Sequence, residues 1–394
     1  MNLTLRQQLE AAAQAAPTAR STAPTLDCVH GQISRGGACP ARTMVHCDLM
    51  DLTVTLSHCV TVCTKREPKT DATTPATRRS LLLKCGLSPG DVMVMTAAVR
   101  DLHLAHPGEF ETAVETTCPA VWEHNPHVVE ASADAETIDM HYPSINQSNA
   151  RPRHFIEGYH EYLEAVLGVK VPITAFRPDI YLSDEERGWM PQVQEERGHK
   201  GPYWVVFAGG KQDFTAKWWP TQYYQQVVDH FRGRVSFVQV GEKDHHHPEL
   251  KNVIGMVGKT DMRQLIRMIH HADGVLCPVT CGMHLAAGVP WHREGLQPCV
   301  VIAGGREPAQ WEAYPGHQFL HTVGALPCAA TGGCWRSRCQ KVGDGDEKDR
   351  KGLCTHPVSV GAGMVVPKCM DMIRPHDVVR AIERYYEGGV LEYA

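Results

Sequence analysis

Short unbroken apolar runs alternate with amphipathic stretches along most of the chain. The clearest example begins at Tyr203, where the run 203–208 (YWVVFA) breaks on Gly209-Gly210-Lys211. Residues 221–231 carry a helical period, and a second apolar run, 235–240, ends on Gly241-Glu242. Residues 265–272 again predict a helix. The strand-like run 274–277 stops at Pro278, and Thr280-Cys281-Gly282-Met283-His284 opens another helix. Cys299 to Ala303 predicts a further strand. Runs that are apolar on both faces, separated by helices, predict a parallel sheet covered on both sides. Ligands of such sheets bind at the carboxyl ends of the strands. Gly210, Glu242 and Thr280 fall at those ends.

The first half repeats the pattern. Residues 81–83 predict a strand, and the apolar run 91–96 follows Pro89-Gly90 and leads into a helical stretch, 97–105. Strands are expected at 110–116 and 138–142, with a short helix at 118–122 between them. Residues 154–167 form an amphipathic helix with Phe155, Tyr159, Tyr162, Leu163 and Val166 on one side. A closing helix, 375–386, buries Val378, Val379, Ile382 and Tyr385. The fold class expected is therefore α/β, with two Rossmann-like domains. The expected divisions are 1–66, a Cys-rich N-terminal segment; 67–185, an acceptor domain; 186–374, a nucleotide-sugar domain; and 375–394, the C-terminal helix.

Composition changes this picture at one point only. The chain has 394 residues, 43% of them hydrophobic and 21% charged, and a formal net charge of −5. This balance does not suggest a nucleic-acid or anionic-membrane partner. No apolar run approaches the roughly 20 residues of a membrane span, and residues 1–24 do not resemble a signal peptide, so a cytoplasmic protein is expected. The exception is 15 cysteines. Without an expected route to an oxidising compartment, metal ligation or buried thiols are the alternatives to disulfides. Cys28, Cys39, Cys47, Cys59 and Cys63 form one group, for which a structural metal and a covering arm with free thiols both stand. Cys328, Cys334, Cys339, Cys354 and Cys369 form another, in a loop (328–369) with little apolar residue to order it. A tetrathiolate site would supply that order, because metal binding then becomes folding energy.

Three motifs in sequence narrow the function. The stretch Gly90-Asp91-Val92-Met93-Val94-Met95-Thr96-Ala97-Ala98-Val99 resembles the start of an ADP-heptose:lipopolysaccharide heptosyltransferase, a GT-B glycosyltransferase of family 9. Lys217-Trp218-Trp219-Pro220 is similar to that family's Lys-x-Trp-Pro, and Thr280 to His284 to its donor loop. The resemblance runs from about Ser80 to Tyr386. The Cys-rich loop is most similar to autotransporter heptosyltransferases, whose cysteines hold iron. It implies a structural iron or zinc on Cys328, Cys334, Cys354 and Cys369, with Cys339 as substitute, and no catalytic metal. The chain departs from the family in the donor loop, where Asp-Thr-Gly is replaced by Val279-Thr280-Cys281.

The resemblance implies that Asp91 is the base that takes the acceptor's proton; a helix-capping Asp is the alternative. Lys217 would neutralise the diphosphate. Gly209, Gly210 and Lys211 would bring backbone N–H groups to phosphate. Thr280, Cys281, Gly282 and His284 would offer a helix N-terminus to an anion, and Glu242 would accept ribose hydroxyls. The run His245-His246-His247 reads as a solvated loop. The expected activity is inverting transfer of a heptose-like sugar from an ADP-linked donor to a saccharide or protein hydroxyl. A GT-B nucleotide-sugar epimerase and a non-catalytic, metal-stapled assembly module are the rivals, and a homo-oligomer is compatible with either.

Overall fold

A computed structural model describes residues 78–141, 148–361 and 363–393, together with the backbone of three strands nearer the N-terminus. Those strands are β1 (Gly31–Ser34), β2 (Met44–Cys47) and β3 (Leu52–Thr55), paired antiparallel in the order β1-β2-β3. They belong to a unit, Met1–Ala76, separate from the compact unit Thr77–Ala394. Cys28, Cys39, Cys59 and Cys63 lie outside the described residues, and so does the side chain of Cys47.

Within Thr77–Ala394 the first sheet is parallel: β4 (Arg79–Cys85) sits between β5 (Phe110–Thr116) and β6 (Glu136–Asp139). Leu81, Leu83 and Cys85 alternate into the core. The chain then forms one long helix, α1 (Pro89–Ala105), so the runs 91–96 and 97–105 are a single element. Its residues are buried almost all round, which erases the helical period from the pattern. Proline at the first helical position and Asp91 reaching back to the backbone N–H of Ser88 (3.0 Å) start it. Helix α2 (Phe155–Leu167) ends on Gly168 at φ 72°. Phe155, Tyr159 and Leu163 are buried as expected, but Val166 is exposed, because the helix turns that position away from the core.

The second sheet is six-stranded and parallel, in the order β12-β11-β10-β7-β8-β9. Its strands are β7 (Tyr203–Val206), β8 (Ser236–Gln239), β9 (Ile254–Gly255), β10 (Gly274–Pro278), β11 (Cys299–Gly304) and β12 (His317–His321). Helices α3 (Thr221–His230), α4 (Met262–His271), α5 (Cys281–Gly288) and α6 (Pro375–Glu387) cover it. The strand order reverses direction between β7 and β10, which creates a crevice at their carboxyl ends.

One hydrophobic cluster unites Leu81, Val92 and Tyr159 of the first half with Val205, Met283 and Val301 of the second. The other face of the large sheet packs Trp204, Phe237 and Leu276 against Val378 and Ile382 of α6. A buried ion network, in which Asp101 bonds Arg100 and His160 and accepts from the exposed Thr174 hydroxyl, ties α1 to α2 and to the segment leading out of the first half. No helix among the described residues is long and apolar enough to cross a membrane.

Candidate active site

Four adjacent strands of the large sheet, β11, β10, β7 and β8, open at their carboxyl ends into a cleft of about 440 Å³. The N-terminus of α1 forms the opposite wall. Asp91, Gly209, Gly210, Lys211, Lys217, Glu242, Thr280, Cys281 and His284 all line it. Gly282 does not: it packs on Phe207, whose ring a Cβ at that position would meet at 2.6 Å. Two close approaches make the cleft possible. A Cβ on Gly90 would lie 2.8 Å from the His284 ring, so only glycine lets the start of α1 reach α5. A Cβ on Gly209, at φ 146°, would meet the His246 carbonyl at 1.8 Å.

That second approach corrects one expectation. The backbone N–H of Gly210 donates to the His246 carbonyl (2.9 Å), so the pairing of two loops uses it and it does not face a phosphate. The Lys211 ammonium instead crosses the cleft and donates to Ser88 Oγ (3.2 Å). The histidine run is also not a solvated loop. His246 stacks on Trp218 with centroids 3.9 Å apart, while His245 and His247 line the cleft. Burial, with help from the other two histidines, lowers the His247 imidazole to about 4, so it is neutral at physiological pH. Asp91 both lines the cleft and caps α1, which makes the two readings of its role compatible.

Lys217 ends a short 3-10 turn, Gln212–Lys217, and pairs with Glu307 Oε1 (3.1 Å). Burial first, then the Arg306 cation, lowers its ammonium to about 8. The turn is held from beneath by the Cys-rich loop: Ser337 accepts from the N–H of Ala216 (3.1 Å), and Thr215 Oγ1 accepts from that of Cys339 (2.7 Å). Buried Arg338 reaches Asp213 in the same turn (2.8 Å), as well as Asp344 and Asp349. His284 donates to or accepts from Tyr314 Oη (2.7 Å), and burial holds its ring neutral, down to about 3.

The sequence reading missed Arg306, Glu307, Trp311 and Glu312, which complete the cleft floor. Arg306 pairs with Glu307 and stacks over Phe214, 5.1 Å from its centroid. A signal for them was present. The buried run of β11 breaks on Gly304-Gly305, as β7 breaks on Gly209-Gly210, so the rule that pointed to three strand ends applied to a fourth.

Cys328, Cys334, Cys354 and Cys369 line a single void of about 10 Å³, beside Arg306 and Arg336. This is about the size of one water molecule. Cys339 lies beside it, and its hydrogen bond lowers the Cys354 thiol to about 7. Among the described residues, the trios of potential ligands within 4.8 Å of one another are Glu123/His124/Glu186 and Asp213/Asp344/Asp346; no trio of thiols is among them. Those carboxylates are already paired with Arg263 and Arg338.

Residues 126–294 match the family model described as glycosyltransferase family 9 (heptosyltransferase). Over these residues the chain is similar to heptosyltransferases of glycosyltransferase family 9. No curated protein matches it. Among solved structures, the chain is similar to a family 9 glycosyl transferase from Veillonella parvula (TM-score 0.55, 14% identity, 80% of this chain and 99% of the other). It is also similar to TibC of enterotoxigenic E. coli, an iron-containing dodecameric heptosyltransferase solved with ADP-D-beta-D-heptose (TM-score 0.52, 14% identity, 88% and 83%). The third is E. coli ADP-heptose lps heptosyltransferase II (TM-score 0.50, 14% identity, 79% and 100%). At this identity the three structures speak for the chain's fold.

Proposed function

We propose that the enzyme transfers a heptose-like sugar, with inversion, from an ADP-linked donor to a hydroxyl of a saccharide or protein. The observation that carries this reading is that one cleft holds both Asp91, on the α1 wall, and Lys217, on the sheet wall. The acceptor oxygen attacks the anomeric carbon and gives its proton to Asp91. The bond from that carbon to the diphosphate oxygen breaks, and its electron pair leaves with the diphosphate. Lys217 offsets the charge that develops there. The N-terminus of α5, with Thr280 and Cys281, faces the same anion. Glu242, in the loop after β8, would accept the ribose hydroxyls. Asp91 and Lys217 together favour the transferase over a binding module.

The four thiols around the small void fit a structural iron or zinc in donor type, while no three of their sulfurs lie within 4.8 Å of one another, so binding would draw the loop together. Such an ion would cross-link the loop that supports Lys217, with Cys328, Cys334, Cys354 and Cys369 as ligands. A tetrathiolate leaves no open position, so no catalytic step involves it. The division into an acceptor half and a nucleotide half, a cytoplasmic location and a possible homo-oligomer belong to the same reading.

The test is a thermal-shift panel of ADP, GDP, UDP and CDP. A diphosphate at about 100 times its Kd adds roughly 2.7 kcal/mol. Stabilisation by ADP that disappears in Lys217→Ala supports the reading. No shift with any diphosphate overturns it.

A further inference from the structure

The donor loop lacks the carboxylate that resembles the family pattern, since Val279 occupies its place, yet the cleft is not short of acid. Glu307 and Glu312 line it, 4% and 5% exposed. Each has one carboxylate oxygen, Oε2, that is buried and has no hydrogen-bond partner among the described residues. Burying an acceptor unpaired costs about 1–3 kcal/mol, more for a charged group. Such an atom at the wall of a ligand cleft is waiting for a donor that arrives with the ligand.

The two carboxylates differ in what holds them. Glu307 is fixed through its other oxygen by Lys217 and Arg306 and belongs to the diphosphate side. Glu312, in the short helix Ala309–Glu312, is hydrogen-bonded to Trp311 and interacts electrostatically with Lys217, Arg306 and Asp91. In the transfer reaction the sugar must lie between the base and the diphosphate, because its anomeric carbon bonds to the acceptor on one face and the leaving group on the other. Glu312 lines the same cleft as Asp91 and Lys217, within reach of a sugar held there, and sugar hydroxyls are the donors that come with it.

Resting on the transferase reading above, we infer that Glu312 is a specificity residue: its Oε2 accepts a hydrogen bond from a hydroxyl of the transferred sugar, taking over in space the part that position 279 cannot play. Sites built to pair a substrate hydroxyl reject analogues that lack it, because a buried group is then left unpaired.

The experiment compares ADP-heptose with a series of ADP-heptoses each lacking one hydroxyl, on wild type, Glu312→Gln and Glu312→Ala. Wild type should lose about 10- to 100-fold in kcat/KM for one member of the series. Glu312→Ala should lose that particular discrimination and leave the others in place, a coupling read as a double-mutant cycle. The Kd for sugar-free ADP should change by less than about threefold in both variants. Glu312→Gln, of the same shape, keeps the test open if the alanine variant folds poorly. Equal penalties across the series in wild type and variants overturn the inference, as does an ADP affinity that falls in step with donor turnover. Wild type that neither binds ADP nor turns over ADP-heptose overturns the transferase reading and this inference with it.

Discussion

Lys217 shows how a single side chain is tuned by its surroundings. Burial lowers its ammonium to about 8, so the free enzyme loses that charge as pH rises through 8. Isothermal titration should therefore show the Kd for ADP constant below about pH 7.5 and rising toward tenfold per pH unit above 8, with Lys217→Met weak and flat. Because the pKa is depressed relative to the unfolded chain, folding stability from this group runs the other way, improving between about pH 8 and 10.5. Asp101 is the opposite case. Despite its burial, His160, Arg100 and Thr174 hold its carboxyl well below the usual range. Breaking such a buried network by removing one partner costs about 3 kcal/mol. Urea unfolding of Asp101→Asn should show that loss at neutral pH, shrinking as pH falls below about 4, where the unfolded wild type takes up its proton first. Asp91 and Lys217 were legible from local motifs, each beside its own proline. Glu312 was not, because it joins Asp91 and Lys217 only across the folded cleft, which no window of sequence contains.

At the scale of elements, α1 delivers Asp91 by coming closer to α5 than any side chain at position 90 allows. Gly90→Ala should displace the start of α1. A misplacement of about 1 Å can cost 10²-fold in rate, so kcat should fall by about that factor while ADP affinity stays within a few-fold. Steady-state transfer assays beside calorimetry separate the two. The elements themselves were readable where burial had one pattern. The fully buried strands β7 and β10 were found from their runs and their Gly or Pro stops, and β11 from its run alone. Helix α1 was found only in its second half, since a helix buried on all sides carries no period. The histidine run was misread because a local reading sees three polar residues, whereas the fold stacks Trp218 on the middle one.

On the scale of the whole molecule, the Cys-rich loop is a foundation for the cleft rather than an appendage to it. Cys339, Ser337 and Arg338 grip the Lys217 turn, and Arg306 lines both the thiol void and the cleft. Cys334→Ser should lower Tm and also weaken ADP binding about tenfold, although no cysteine of this set lines the cleft; thermal shift with and without ADP measures both. The sequence showed that this loop needed a reason to be ordered. It did not show what the loop supports, because those contacts join residues more than a hundred positions apart.

The hydrophobic cluster that runs from β4 and α1 through α5 into β11 bears on how such enzymes can be recombined. A chimera that joins the first sheet of this chain to the second sheet of a relative would leave the cut surface solvent-free and its residues unselected for each other. Grafting acceptor specificity should therefore succeed by exchanging loops around the cleft, and fail by exchanging halves.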